Sequence, residues 1–122
     1  MAVVYEVVLT EDAQQDLQEL YDYIAGHDAP AKADYVLSRI EKLLAGLAKM
    51  PQRGAWTTEL LALGIREYRE SYFKPYRVIY RLIDQGFDAG MQNKIKHLVY
   101  VYLIVDGRRD MQALLQRRML RV

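Results

Sequence analysis

Between residues 66 and 109 the chain sets six arginines (Arg66, Arg69, Arg77, Arg81, Arg108, Arg109) among six tyrosines (Tyr68, Tyr72, Tyr76, Tyr80, Tyr100, Tyr102). A guanidinium grips phosphate or carboxylate through a two-pronged fork, and a phenol stacks on a base or hydrogen-bonds a phosphate. These residue types suit a surface for nucleic acid or for an acidic peptide. Cross-strand Tyr/Arg pairs also stabilise sheets, and Glu67, Glu70, Asp106 and Asp110 could neutralise several of the cations. Other chemistry is poorly served. The chain has no cysteine, which removes thiolate zinc sites and cysteine nucleophiles. With His27 and His97 as the only histidines, a metal would need a carboxylate-rich site. The glycines are scattered rather than gathered in a phosphate loop. Neither Ser38 nor Ser71 sits in a nucleophile elbow. No metal and no cofactor is expected.

The cations are unevenly placed. Residues 1–63 carry five Lys/Arg against ten Asp/Glu, a net −5, and residues 64–122 carry twelve against six, a net +6. The formal +1 of the 122-residue chain therefore hides a basic second half, which suggests an anionic partner there or a solvated, arginine-decorated sheet face. The 52% hydrophobic content argues against disorder, and the length is that of a single domain spanning 1–122. The longest uncharged apolar run, Leu98 to Val105, is too short to span a bilayer. No basic stretch precedes an apolar run at the N-terminus, so a cytoplasmic location is expected.

The elements that must position these residues follow from periodicity. Residues 3–9 are rich in β-branched and aromatic side chains and read as a strand. Thr10 is a helix N-cap with Glu11 and Asp12 in the first turn. Ala13, Leu17, Leu20, Tyr21 and Ile24 then recur at helical spacing, with Gly26 as the stop. A second helix starts at Pro30 and presents Ala33, Val36, Leu37, Ile40, Leu43, Leu44 and Leu47 on one face until Pro51. The short link predicts an antiparallel helical hairpin, about 11–26 and 30–50. After a connector over 51–64 the period changes. Ile65–Phe73, Tyr76–Ile83 and His97–Val105 read as three meander strands, with a turn at Lys74-Pro75 and a loop over 84–96. Arg77 and Arg81 should share a strand face. Asp110 caps a last helix with Met111, Leu114, Leu115 and Met119 on its apolar side, to pack on the chain's own sheet or to receive a partner. The order β-α-α-β-β-β-α implies an α+β fold with the hairpin packed on an antiparallel sheet whose edge is completed by residues 3–9. Leu17, Leu20, Ile24, Val36, Ile40, Leu44, Val78 and Val101 are the expected core.

This order, together with Gly64-Ile65-Arg66-Glu67-Tyr68, Tyr76-Arg77-Val78-Ile79-Tyr80-Arg81 and Asp106-Gly107-Arg108-Arg109-Asp110, resembles the RelE/ParE superfamily of toxins from type II toxin–antitoxin systems. The resemblance runs from Tyr5 through Leu120. It implies a growth-inhibiting toxin neutralised by a cognate antitoxin, which alone contacts operator DNA; no membrane is involved. RelE-like members cut mRNA on the ribosome. ParE-like members poison DNA gyrase and are not nucleases. The chain ends Arg118-Met119-Leu120-Arg121-Val122 without a terminal Tyr or His, and its sheet offers Lys74 but no lysine cluster. It is therefore more similar to the ParE-like, plasmid-stabilisation branch, with a ribosome-dependent mRNA endonuclease as the alternative. The insertion 85–96 departs from the family pattern. Target or antitoxin binding is expected at Arg66, Arg69, Tyr72, Arg77, Tyr80, Arg81, Arg108, Arg109, Met111 and Leu115. The nuclease alternative would use Arg66, Arg77, Arg81 and His97.

Overall fold

The computed structural model describes residues 4–86 and 95–119. Strand β1 (Glu6–Leu9) leads into α1 (Glu11–His27), where the Thr10 hydroxyl accepts the Ala13 N–H at 3.1 Å. The helix passes through Gly26, one residue beyond the expected stop, and closes where the Asp28 N–H donates to the Ile24 carbonyl. Ala29 is extended, as a residue before proline must be, and α2 (Pro30–Leu47) follows. The connector is more structured than its sequence suggested. It holds a 3-10 turn at Pro51–Arg53, a short strand β2 (Ala55–Trp56) and one helical turn, α3 (Thr58–Leu61). Gly64, at φ 81°, ends that turn, and the Ile65 N–H folds back to the Leu60 carbonyl. Strand β3 consequently starts at Arg69, not Ile65, and runs to Phe73. Strands β4 (Tyr76–Gly86) and β5 (Ile95–Asp106) take both ends of the expected loop into the sheet, and α4 (Met111–Met119) closes the fold. The middle of that loop, 87–94, lies outside the described residues, as do Val3, Leu120 and Arg121.

The five strands lie in the order β1-β5-β4-β3-β2. Residues 6–9 do complete one edge, but they pair with β5 in parallel, so the sheet is mixed rather than antiparallel. The reason is the hairpin. Helix α2 brings the chain back to the start of β1, where the Tyr5 N–H donates to the Ala48 carbonyl. Strand β3 then sets out in β1's direction, and β5, two antiparallel steps later, shares it.

A bulge decides which β5 residues face which layer. Ile79 pairs with Leu103 but Tyr80 pairs with Val101, so Tyr102 is an extra residue in β5. Before it, Val99 and Val101 face the hairpin core with Ala13, Ile24, Val36, Ile40, Val78 and Tyr80. After it, Leu103 and Val105 face the opposite core with Leu60, Ile79, Met111, Leu114 and Leu115. Ile104 goes to the hairpin side. The sheet is thus covered on both faces, which explains why β5 is apolar on both. Of the expected core, Ile24, Val36, Ile40, Leu44, Val78 and Val101 are buried. Leu17 and Leu20 are half-buried against the same cluster.

Candidate functional site: a groove rimmed by Arg108 and Arg109

The arginine–tyrosine group divides when folded. Arg77 projects from β4 into a cage of carboxylates: Nη1 and Nη2 donate to Glu59 at 2.9 and 2.8 Å, and Nη2 also donates to Glu70. Its side chain is 15% exposed and that of Glu70 9%. Hydrogen bonding to Glu59, against the opposing effect of burial, holds the guanidinium proton even more tightly than usual. The same bonds hold the Glu59 carboxyl below the usual carboxylate range. Arg77 also seats the next turn. A Cβ on Gly107 would lie 2.5 Å from Arg77 Cδ, and the Gly107 N–H donates to the Pro75 carbonyl at 2.8 Å. Only glycine can approach so closely, and the approach fixes where Arg108 and Arg109 emerge.

Arg69 and Tyr80 fasten the connector. Arg69 Nη1 donates to the carbonyls of Gln52 and Gly54, and its guanidinium lies 4.2 Å from the Trp56 ring centroid. Tyr80 is fully buried and its hydroxyl donates to the Pro51 carbonyl at 2.6 Å. Burial pushes that phenol's pKa up. Met111 and Leu115 are also core residues, so the apolar side of α4 packs on the chain's own sheet. Tyr80, Met111 and Leu115 therefore offer no side-chain surface to a partner.

Arg81 shares the α4 face with Arg77 and Ile79. It pairs with Glu67 at 3.2 Å and lies 5.6 Å from the Tyr68 ring, which meets Tyr102 edge-on. His97 is on the other face. It alternates with Val99 and Val101, accepts or donates a bond of 2.7 Å with Asp84, and packs on Tyr5. The sheet therefore separates His97 from Arg77 and Arg81. Arg66 and Tyr72 are exposed. Arg108 is exposed and doubly bonded to Asp106, whose carboxyl it holds below the usual range. Among the described residues Arg66 and Arg109 make no side-chain ion pair.

A groove of about 650 Å³ opens between α1 and the end of β5. Leu20, Ile24, Tyr76, Ile104 and Val105 supply its apolar lining. Asp16, Glu19, Tyr23, His27, Asp28 and Lys32 line it from the helical side, and Asp106, Arg108 and Arg109 from the turn after β5. Of the lining residues, the arginine–tyrosine group picked out by residue type had included only Tyr76, Arg108 and Arg109. The wall from α1 had a faint signal: Tyr23 and His27, one turn apart, are aromatic on what reads as the polar side of the helix. Their rings stack at 4.1 Å, and Tyr23 is largely exposed. No group of three or more His, Asp or Glu among the described residues is arranged to hold a metal. No helix among them is long and apolar enough to cross a membrane.

Comparison with known proteins agrees with this architecture. Among solved structures the chain is similar to one titled "Chromosomal ParDE TA system from P. aeruginosa", at TM-score 0.55 and 17% identity, covering 82% of this chain and 96% of that one, a likeness of fold. No curated protein matches significantly. A family model described as "ParE toxin of type II toxin-antitoxin system, parDE" matches residues 7–89, from β1 through the helical hairpin and connector to the end of β4. With that match taking in well over half its length, the chain belongs to the ParE toxin family.

Proposed function

We propose that the chain arrests growth by poisoning DNA gyrase, cutting no bond itself, and that a cognate antitoxin silences it in the cytoplasm. The family match over residues 7–89 carries this reading. The placement of the basic residues supports binding over cleavage. An mRNA nuclease needs a proton carrier and phosphate-gripping cations around one scissile bond. Here His97 and the Arg77/Arg81 pair lie on opposite sheet faces, and Arg77 is already engaged by Glu59 and Glu70. Arg66, Tyr72, Arg81, Arg108 and Arg109 remain as the groups for target contact. The groove takes the antitoxin: its apolar lining suits a peptide segment, and Arg109, unpaired among the described residues, suits an acidic side chain on it. Operator DNA is reached only through the antitoxin.

Two assays on the purified chain test the target. Inhibited supercoiling with accumulation of cleaved DNA–gyrase complex is the expected result, with no mRNA cleavage in a translating extract. Codon-specific mRNA cleavage abolished by Arg81→Ala alone would replace the gyrase reading with the endonuclease one. Co-expression with the adjacent gene should yield a soluble complex, and failure to co-purify would count against an antitoxin at the groove.

A further inference from the structure

Strand β1 pairs with β5 only as far as Leu9 opposite Val101. Beyond that point the outer edge of β5 has no neighbouring strand among the described residues, and an uncovered edge is a template for pairing with another chain. Two side chains from opposite layers meet there. Asp16 of α1 accepts the Ile104 N–H through Oδ2 at 3.1 Å. Arg118 of α4 donates from Nη2 to the Tyr102 carbonyl at 2.9 Å. The two also bind each other through both prongs, at 2.9 Å each. Their side chains are 11% and 17% exposed. The pair sits at the bulge, where Tyr102 is the extra residue, so it satisfies backbone groups at an irregular point of the ladder. Asp16 and Ile104 also line the groove, which leaves room for an approaching backbone.

We propose that the Asp16–Arg118 pair is an edge guard, which keeps the Tyr102–Ile104 edge of β5 from accepting a strand of a second copy of this chain. The two groups that an added strand would seek, one N–H and one C=O, are those the pair occupies. A second copy is the fitting occupant because a β5 edge presented to another β5 edge offers the same unpaired ladder and the same apolar Ile104–Val105 flank. The proposal does not depend on whether gyrase or the ribosome is the target.

The test uses the purified chain alone. In the wild type the protein should be monomeric by sedimentation, and the Ile104 amide should be protected from hydrogen exchange. Asp16→Ala should raise exchange at Ile104 by about tenfold or more at low concentration. The same variant should form a concentration-dependent dimer in which Ile104 protection returns. Arg118→Ala, which leaves Asp16 in place, should give the same dimer more weakly, and it serves if Asp16→Ala fails to fold by circular dichroism. Three results would each overturn the proposal: a wild type whose Ile104 exchanges as a free edge amide, a wild type that dimerises with Ile104 at the contact, or folded variants that stay monomeric or associate with Ile104 still open.

Discussion

Replacing Arg77 with alanine separates a scaffold arginine from a contact arginine. The substitution leaves Glu70, 9% exposed, as an uncompensated carboxylate beneath α3, while Glu59, at 28%, can turn partly to water. Removing one member of a buried ion pair costs about 3–5 kcal/mol, and the partial exposure of Glu59 puts the expected loss near the lower end, about 3 kcal/mol. That is a large fraction of the stability of a domain this size but leaves it folded at 25 °C. Urea unfolding should show a lower midpoint with an unchanged slope. Adding Glu70→Gln to Arg77→Ala removes the stranded charge and should recover about 1 kcal/mol or more. The pH dependence has a definite sign. Arg77 lowers the Glu59 pKa in the folded protein relative to the unfolded chain, so the stabilisation is present above the unfolded carboxylate value of about 4.3 and is lost as the pH falls through the lower folded value. The wild type should therefore lose stability as the pH falls below about 4.3, and Arg77→Ala should show a shallower acid decline. If Arg77→Ala abolishes growth arrest while costing less than about 1 kcal/mol, the residue is a contact group and the scaffold reasoning is wrong.

Three further perturbations probe other layers. A Cβ on Gly54 would fall 2.1 Å from the Tyr80 hydroxyl and 2.8 Å from the Glu70 carbonyl, so Gly54→Ala should destabilise by about 1–3 kcal/mol. Tyr80→Phe should relieve part of that cost, making the double variant less damaged than the summed singles in a thermal-melt cycle. Ile40, fully buried between the hairpin and the sheet, should cost about 2–5 kcal/mol as Ile40→Ala in urea unfolding; a loss below 1 kcal/mol would contradict its central packing. Alanine at Arg66, Arg108 or Arg109 should leave the melting temperature nearly unchanged, because all three are exposed and the one described surface ion pair among them, Arg108 with Asp106, contributes little. Growth arrest should weaken in graded steps across Arg81, Arg108 and Arg109, and an all-or-none loss at one of them would favour a catalytic role.

The residue pattern alone determined the helical hairpin and the meander, because each is a local period: 3.6 in Ala13, Leu17, Leu20, Ile24, and 2 in Tyr76, Val78, Tyr80, Leu82. The edge position of the first strand also followed, since a lone strand must find a partner for its backbone. Its parallel pairing did not, because strand direction depends on where α2 delivers the chain, which no local period records. Nor did the β5 bulge, which arises from the register of two strands about 20 residues apart and sends Val101 and Leu103 to opposite cores. The candidate site shows the same division. Composition marked the arginines, but arginine carries no sign of its partner. Only the packing of α3 over β4 put Arg77 between Glu59 and Glu70, and only the bend after β5 put Arg108 and Arg109 beside a groove walled by α1. Asp16 and Arg118 lie 102 positions apart, so their pairing exists only once α1 and α4 flank one strand edge.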